Sequence, residues 1–345
     1  MIRLLLVEDS AVQREFISFV LEEAGDFEIV GTAVDGEDGV KQAAELRPDV
    51  ILMDCNMPKL DGVGATRIIM ETAPVPIVLM TASPVESEFT FDAIKNGALA
   101  VVSKPPAFGS ANFDRVAGQL LRTVKLMSEV KVVRRWPVRA GRAAAVTAPR
   151  APTTRKGVHV VALVGSTGAP AVIAEILTAL GPATRATLLI VQHMSEGFII
   201  GFATWLTSRT GVPVQVAEDG IATQPGHAYI APDHMQMGID ASGRIVLAEG
   251  EDDDGFCPSG THLFRSVARA YGQHAMGVLL TGMGRDGAAG LADLQRAGGL
   301  TVAQNEETSV VFGMPGEAVR LGAVQHILPP DEIAAFITAC TADAS

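Results

Sequence analysis

Along this chain, a short apolar run rich in Val, Ile and Leu repeatedly stops at a polar side chain and gives way to a helix-like stretch. Runs without polar alternation read as buried parallel strands, because helices cover both faces of such a sheet. The carboxyl ends of the strands then share one edge, where open α/β sheets place their active sites. The residues that end the runs are therefore the candidates for chemistry. In the second half these are Ser166 after Val160–Gly165, His193 after Leu188–Gln192, and Asp286 shortly beyond Val278–Gly282.

The 345 residues exceed one ordinary core, so two domains are expected. Aromatic residues make up only 5% of the chain, which leaves Val, Leu, Ile and Ala to build the cores. A net charge of −12 argues against nucleic acid as a partner. The three scattered cysteines give neither a disulfide framework nor a zinc spacing, as in a reducing compartment. No stretch approaches the roughly 20 apolar residues of a membrane span, and Met1-Ile2-Arg3 leads into a run too short for a signal peptide. A cytoplasmic protein without membrane insertion is expected.

In the first part, strands fit Ile2–Val7, Glu28–Ala33, Val50–Met53, Ile77–Met80 and Ala100–Val102. Helices fit a segment capped by Ser10 with Val12, Phe16, Phe19 and Val20 on its apolar face, then Gly36–Leu46, Gly62–Thr72, Phe89–Asn96 and Asn112–Met127. This alternation predicts a doubly wound parallel sheet. From Lys131 to Lys156 there are eight Lys or Arg and no acidic residue, with Ala, Pro and Thr between them. The segment reads as a linker, and docking to an acidic partner is its alternative role. Beyond it, helices fit Ala171–Leu180, Phe198–Ser208, Gly260–Tyr271, Gly287–Ala297 and Pro330–Cys340, and late strands fit Leu300–Ala303 and Val324–Leu328. Between Pro213 and Glu249 the Gly and Pro-Asp turns predict hairpins added to an edge.

With strand order 2-1-3-4-5, Glu8 and Asp9 after the first strand converge with Asp54 after the third. Clustered carboxylates of this kind suit a hard cation, and Mg²⁺ fits a site of few carboxylates completed by water and a phosphoryl group. Thr81 and Lys104 end the fourth and fifth strands and are placed to bind phosphoryl oxygens. On these residues, together with Asn56-Met57-Pro58, Asp61-Gly62, Thr81-Ala82 and Lys104-Pro105, residues 1–124 resemble a two-component receiver domain of flavodoxin-like fold. The resemblance implies Mg²⁺ at Glu8, Asp9, Asp54 and Asn56, phosphorylation of Asp54 by a histidine kinase, and phosphoryl sensing by Thr81 and Lys104.

Gly165-Ser166-Thr167-Gly168 lies between a strand and a helix, a setting equally open to a phosphate loop, a helix cap or an exposed nucleophile. A dinucleotide fold requires an acid at the end of the next strand; Gln192-His193 stands there instead, and an imidazole suits a general base. Asp286, in Gly282-Met283-Gly284-Arg285-Asp286-Gly287, either caps the following helix or orients His193. The order Ser…His…Asp and the lack of a Gly-X-Ser-X-Gly elbow disfavour an α/β-hydrolase. His159, His274 and His326 read as structural; the spacing of His227, Asp233 and His234 is no recognised ligand pattern, and Asp252-Asp253-Asp254 reads as a solvated loop.

Residues 157–345 resemble the catalytic domain of the chemotaxis protein-glutamate methylesterase family. The resemblance rests on Gly165–Pro170, Gln192-His193-Met194, Tyr229–Met235, Leu280–Gly287 and Gln304–Pro315. It implies a Rossmann-like domain with an added β-hairpin region, preceded by a receiver and a basic linker over residues 125–156. Ser166 becomes the nucleophile, His193 the base, Asp286 its partner, Thr167 an active-site neighbour and the Met283 amide an oxyanion donor, with no cofactor at this site. The implied reaction is phosphorylation-activated hydrolysis of glutamate 5-methyl esters on chemoreceptor helices, releasing methanol, with receptor glutamine deamidation as a related reaction. By analogy the unphosphorylated receiver covers the active-site edge. Ala169, Ser195, Asn305 and Pro258–His262 depart from the family pattern. Rival readings are a receiver-gated binding module and a non-catalytic scaffold in a chemosensory array.

Overall fold

The computed structural model describes residues 1–82, 88–130, 132, 157–250 and 255–341, and in it the chain forms two compact units. Most of the expected linker and the Asp252-Asp253-Asp254 run lie outside the described residues. Among the described residues no helix is long and apolar enough to cross a membrane.

The first unit is a five-stranded parallel sheet of β1 (Ile2–Val7), β2 (Phe27–Ala33), β3 (Val50–Asp54), β4 (Ile77–Thr81) and β5 (Ala100–Ser103), in the expected order β2-β1-β3-β4-β5. Every residue of β3 and β4 is buried, which is why these runs carry no polar alternation. The helices start where small polar residues satisfy their free N–H groups. Ser10 accepts from the Gln13 amide ahead of α1 (Ala11–Glu23), Asp35 from Asp38 ahead of α2 (Gly36–Leu46), and Asp61 from Gly64 ahead of α3 (Gly62–Thr72). The helices α4 (Glu88–Lys95) and α5 (Phe113–Ser128) follow.

One expectation is corrected in α1. Its buried residues are Ile17, Val20 and Leu21, whereas Val12 and Phe19 are 76% and 49% exposed. Helical spacing fits two apolar stripes here, and the sheet takes the one centred on Ile17. Phe16 and Phe19 pack edge-on to Phe108 instead, with centroids 5.1 and 5.5 Å away.

The second unit is built on β6 (Val160–Gly165), β7 (Thr187–Gln192), β8 (Val214–Val216), β9 (Ala228–Ile230), β12 (Ala275–Leu279), β13 (Leu300–Gln304) and β14 (His326–Leu328). They form one seven-stranded sheet in the order β14-β13-β12-β6-β7-β9-β8, and every pairing is parallel. The chain runs outward from β6 to β7 and its neighbours on one side, with β9 inside β8, and returns to β12, β13 and β14 on the other, so the topological switch lies between β6 and β12. Its helices are α6 (Ala169–Leu180), the larger part of α7 (Ile199–Thr210), whose first residues to Phe202 group with the first unit, α8 (Gly260–Tyr271), α9 (Ala288–Arg296), α10 (Met314–Arg320) and α11 (Pro330–Thr341). The short α10 was not foreseen from the sequence.

The expected run of hairpins is only half right. β8 and β9 extend the main sheet in parallel, and only β10 (Gln236–Ile239) and β11 (Ile245–Ala248) form an antiparallel pair. That pair is a separate sheet anchored to α8, where the Ser266 hydroxyl accepts from the Ile239 amide at 2.9 Å. Short strands joined by turns look alike in sequence whether the connection crosses over or folds back, and the crossover between β8 and β9 carries no helix to mark it.

Close backbone approach fixes the first unit's functional loop. A Cβ on Gly62 would lie 2.4 Å from the Asp54 carbonyl oxygen and 3.1 Å from the Cys55 Cα. Gly62→Ala should therefore destabilise this unit by about 1–3 kcal/mol, seen as faster hydrogen exchange of the β3 amides. Unchanged exchange would show that the loop yields at no cost.

Candidate functional site

The three strand-end residues of the second unit come from adjacent strands. β6 pairs with β7 on one side and β12 on the other, and Gly165 is the register partner of Gln192. Ser166, His193 and the loop carrying Asp286 thus leave the sheet at one edge, beside the switch point. Backbone bonds lock their exits: the His193 amide donates to the Gly165 carbonyl at 3.0 Å, and the Ser166 amide to the Thr281 carbonyl at 3.1 Å.

Asp286 is 1% exposed and accepts from five donors. Oδ1 takes the Ser259 hydroxyl at 2.9 Å and the amides of Thr261 and Gly287 at 3.0 and 2.7 Å. Oδ2 takes the Gly260 amide at 2.6 Å and His193 Nε2 at 3.0 Å. The carboxylate therefore does not cap the helix that follows it, where Gly287 holds the N-cap of α9 without a side-chain bond. It sits against the N-terminus of α8, whose free amides and dipole favour an anion. Burial alone would raise its pKa, but the bonds from His193 and the amides of Gly260 and Thr261 outweigh burial and hold it at about 2.

His193 Nε2 also lies 3.2 Å from the Pro258 carbonyl oxygen. A carbonyl only accepts, so Nε2 carries the hydrogen and, in the neutral ring, Nδ1 carries the lone pair. Phe256 stacks on the imidazole with centroids 5.4 Å apart and planes 5° off parallel. The ring is held on its edge and on one face.

Ser166 is half-buried and does not cap α6, since Gly168 is the N-cap, at a φ of 80°. Among the described residues its hydroxyl makes no hydrogen bond, so the structure orients the imidazole towards Asp286 but does not close a bond from Ser166 to His193. The amides of Thr167 and Met283 likewise find no protein acceptor among the described residues, as expected of groups kept for a ligand. Gly282 lets this loop approach: a Cβ there would lie 2.9 Å from Ser166 Cβ and 2.3 Å from Met314 Sδ.

Behind these residues stands a polar layer that sequence reasoning did not assign. Gln192 Nε2 donates to the carbonyls of Ser166 and His193, at 2.9 and 2.8 Å. The Thr281 hydroxyl donates to Thr167 O at 3.0 Å and accepts from the Val311 amide at 3.0 Å. Gln304 Oε1 accepts from the Thr281 amide at 2.9 Å. The available signal was a polar residue at the buried end of an apolar run, as at Gln192 and Gln304. Of the departures from the family pattern, Ala169 is fully buried, and its Cβ lies 2.3 Å from where a Cβ on Gly165 would stand. Ser259 supplies the N-cap of α8 as well as a bond to Asp286.

In the first unit the carboxylates of Glu8, Asp9 and Asp54 gather within 4.8 Å of one another. Lys104 Nζ lies 2.8 Å from Glu8 Oε2 and 2.9 Å from Asp54 Oδ2. Thr81 is buried at the end of β4, and its carbonyl accepts from the Lys104 amide at 2.9 Å. The Asn56 backbone amide nearby favours the charged form of Asp54. Burial raises the pKa of both Glu8 and Asp54, with Lys104 pulling down and neighbouring carboxylates pushing up. Burial disfavours the Lys104 ammonium, yet its bonds to Glu8 and Asp54 prevail and raise its pKa. Three carboxylates against one ammonium are a donor set of hard oxygens that fits Mg²⁺.

A family model described as CheB methylesterase matches residues 161–337, and one described as response regulator receiver domain matches residues 4–110. The chain is 48% identical over 339 residues to a protein-glutamate methylesterase/protein-glutamine glutaminase of Syntrophus aciditrophicus, covering 97% of each chain. It is 46% identical over 347 residues to a protein of the same name from Nitrosospira multiformis, covering 99% of this chain and 98% of the other. Among solved structures, the Thermotoga maritima CheB methylesterase catalytic domain matches with a TM-score of 0.51 and 32% identity, over 52% of this chain and 97% of that one.

Two outcomes follow from the charges. Because the Asp286 pKa is depressed, its stabilisation is complete above the ordinary carboxylate range and is lost as pH falls through about 2. Comparing urea unfolding near pH 5 and near pH 2.5, Asp286→Asn should lack an acid-labile stability on the order of 2 kcal/mol; an identical pH dependence would contradict the anchoring. Asp54 and Glu8 have raised values, so their ionisation at neutral pH costs the folded state. Asp54→Asn leaves Lys104 paired with Glu8 and should melt the first unit a few degrees higher at neutral pH. Melting at a lower temperature would mean that the Lys104–Asp54 attraction dominates.

Proposed function

This chain belongs to the CheB methylesterase family, and on that premise we propose that it hydrolyses γ-glutamyl methyl esters on chemoreceptor cytoplasmic helices, under control of a phosphorylated receiver. In this reading residues 1–124 are the receiver, 125–156 a basic linker and 157–345 the esterase domain, in a cytoplasmic protein. The observation that carries the reading is the fixed His193–Asp286 pair, with its Nε2–H towards the carboxylate, at the sheet edge that also bears Ser166. A binding module or scaffold needs no such oriented imidazole.

Ser166 Oγ attacks the ester carbonyl carbon while Nδ1 of His193 takes the hydroxyl proton. Asp286 holds the ring and stabilises the imidazolium through Nε2, which reverses the two ring nitrogens relative to the serine-protease template. The amides of Met283 and of the Ser166 loop, Thr167 included, donate to the developing oxyanion. Collapse breaks the bond to methoxide, which leaves as methanol with the proton from Nδ1. Water then attacks the acyl-serine, giving up a proton to Nδ1, and glutamate and free Ser166 result. A glutamine side chain passes through a similar oxyanion, with ammonia as leaving group, so deamidation belongs to the same reading. The residues require no cofactor for either reaction.

In the receiver, Asp54 accepts a phosphoryl group from a chemotaxis histidine kinase. Mg²⁺, when bound, neutralises phosphoryl charge. Glu8, Asp9, Asp54 and Asn56 would hold it, and Thr81 and Lys104 contact the phosphoryl oxygens.

Methanol release from methylated receptor membranes, with and without a small-molecule phosphodonor, tests both halves. Wild type should release methanol and respond to the donor. Ser166→Ala should fall by at least about a thousandfold, and Asp54→Asn should keep basal release but lose stimulation. Undiminished release by Ser166→Ala sinks the nucleophile, and equal stimulation of Asp54→Asn sinks the switch.

A further inference from the structure

We infer that Gln192 is a positioning residue for the oxyanion site, acting through the peptide plane between Ser166 and Thr167. The inference rests on the esterase reading above and adds to it a residue that neither attacks nor transfers a proton.

Gln192 closes β7 and is 2% exposed. Its Nε2 spans two carbonyls from the two loops that meet at the site, Ser166 O at 2.9 Å and His193 O at 2.8 Å. Both donor hydrogens of the amide are thereby engaged. Among the described residues its buried Oε1 finds no hydrogen-bond partner, a state that costs free energy and is not selected by packing alone. A buried Leu or Met would avoid that cost, so the donors account for an amide at this position.

A peptide unit is planar and trans, so the carbonyl of one residue and the N–H of the next point in opposite directions. Fixing Ser166 O towards Gln192 fixes the Thr167 N–H away from it. The Ala169 amide also donates to Ser166 O, at 3.1 Å, which leaves this carbonyl no freedom to turn. The Thr167 amide, itself without a protein acceptor among the described residues, is then pre-aimed before substrate arrives. Such pre-aimed donors stabilise developing charge without reorganisation at the moment of reaction. The second bond, to His193 O, ties the same amide to the loop of the base, so the oxyanion donor and the imidazole are set from one group. Gly165 permits the arrangement, because a Cβ there would stand 3.6 Å from Gln192 Oε1 and only 2.3 Å from Ala169 Cβ.

The test compares wild type, Gln192→Met and Gln192→Glu in the full-length chain. Three readouts are taken: kcat and KM for methanol release, the rate of Ser166 labelling by a fluorophosphonate, and thermal melting. Gln192→Met keeps length and loses both donors. It should hold KM within about twofold while kcat and the labelling rate fall by on the order of tenfold to a hundredfold. Gln192→Glu donates only when protonated. Its labelling rate relative to wild type should rise as pH is lowered from about 8 to about 6, because burial raises a carboxyl pKa into that range. A folded Gln192→Met with kcat and labelling within about twofold of wild type overturns the inference. If Gln192→Met does not fold, a pH-independent ratio for Gln192→Glu overturns it instead. Failure of wild type itself to label or release methanol would strike the esterase reading, and is thereby told apart.

Discussion

A single buried carboxylate holds this catalytic unit in register. Asp286 leaves the end of β12, yet its partners are the first amides and the N-cap hydroxyl of α8 and the ring of His193 beyond β7. Removing it would strip an acceptor from α8 and an anchor from the imidazole together. The helix N-terminus pays for the buried charge, and in return the charge fixes where the loop over Phe256 and Pro258 can sit. The loop then supplies the stacking face and the carbonyl that complete the cage around the ring.

The two domains make opposite use of buried acids. Asp286 meets five donors and no neighbouring acid among its bonded partners, and its acidity rises. Asp54 and Glu8 meet each other and one lysine, and their acidity falls. The first arrangement suits a group that must never change state during turnover. The second suits a group that gains by having its charge neutralised, by a cation or by esterification with phosphate. Environment, and not residue type, sets these acids apart.

Much of this was legible in the sequence because strand ends are. A run such as Leu188–Gln192 shows both its burial and the point at which it stops, and the shared carboxyl edge of a parallel sheet marked Ser166, His193 and Asp286 as candidates. The acidic cluster of the receiver was legible for the same reason. The apolar face of α1 was legible only at Val20, since Val12–Phe16–Phe19–Val20 and Ile17–Val20–Leu21 both satisfy helical spacing and only the sheet chooses between them. The parallel addition of β8 and β9 was hidden by the absence of a crossover helix. Ser259, Phe256 and Gln192 owe their roles to residues distant in sequence, so no local pattern announces them.

The orientation of His193 changes how positional error reaches the reacting atom. An imidazole is a short lever pivoting near its Cβ, and Nε2 lies at its far end while Nδ1 lies close to the pivot. Here the far end is clamped, by Asp286 and Pro258, and the near end is left for chemistry. A small rocking of the side chain is resisted where its amplitude is greatest and felt where it is least. The nitrogen to which the proposed function gives the serine proton therefore inherits the rigidity of the strand behind it.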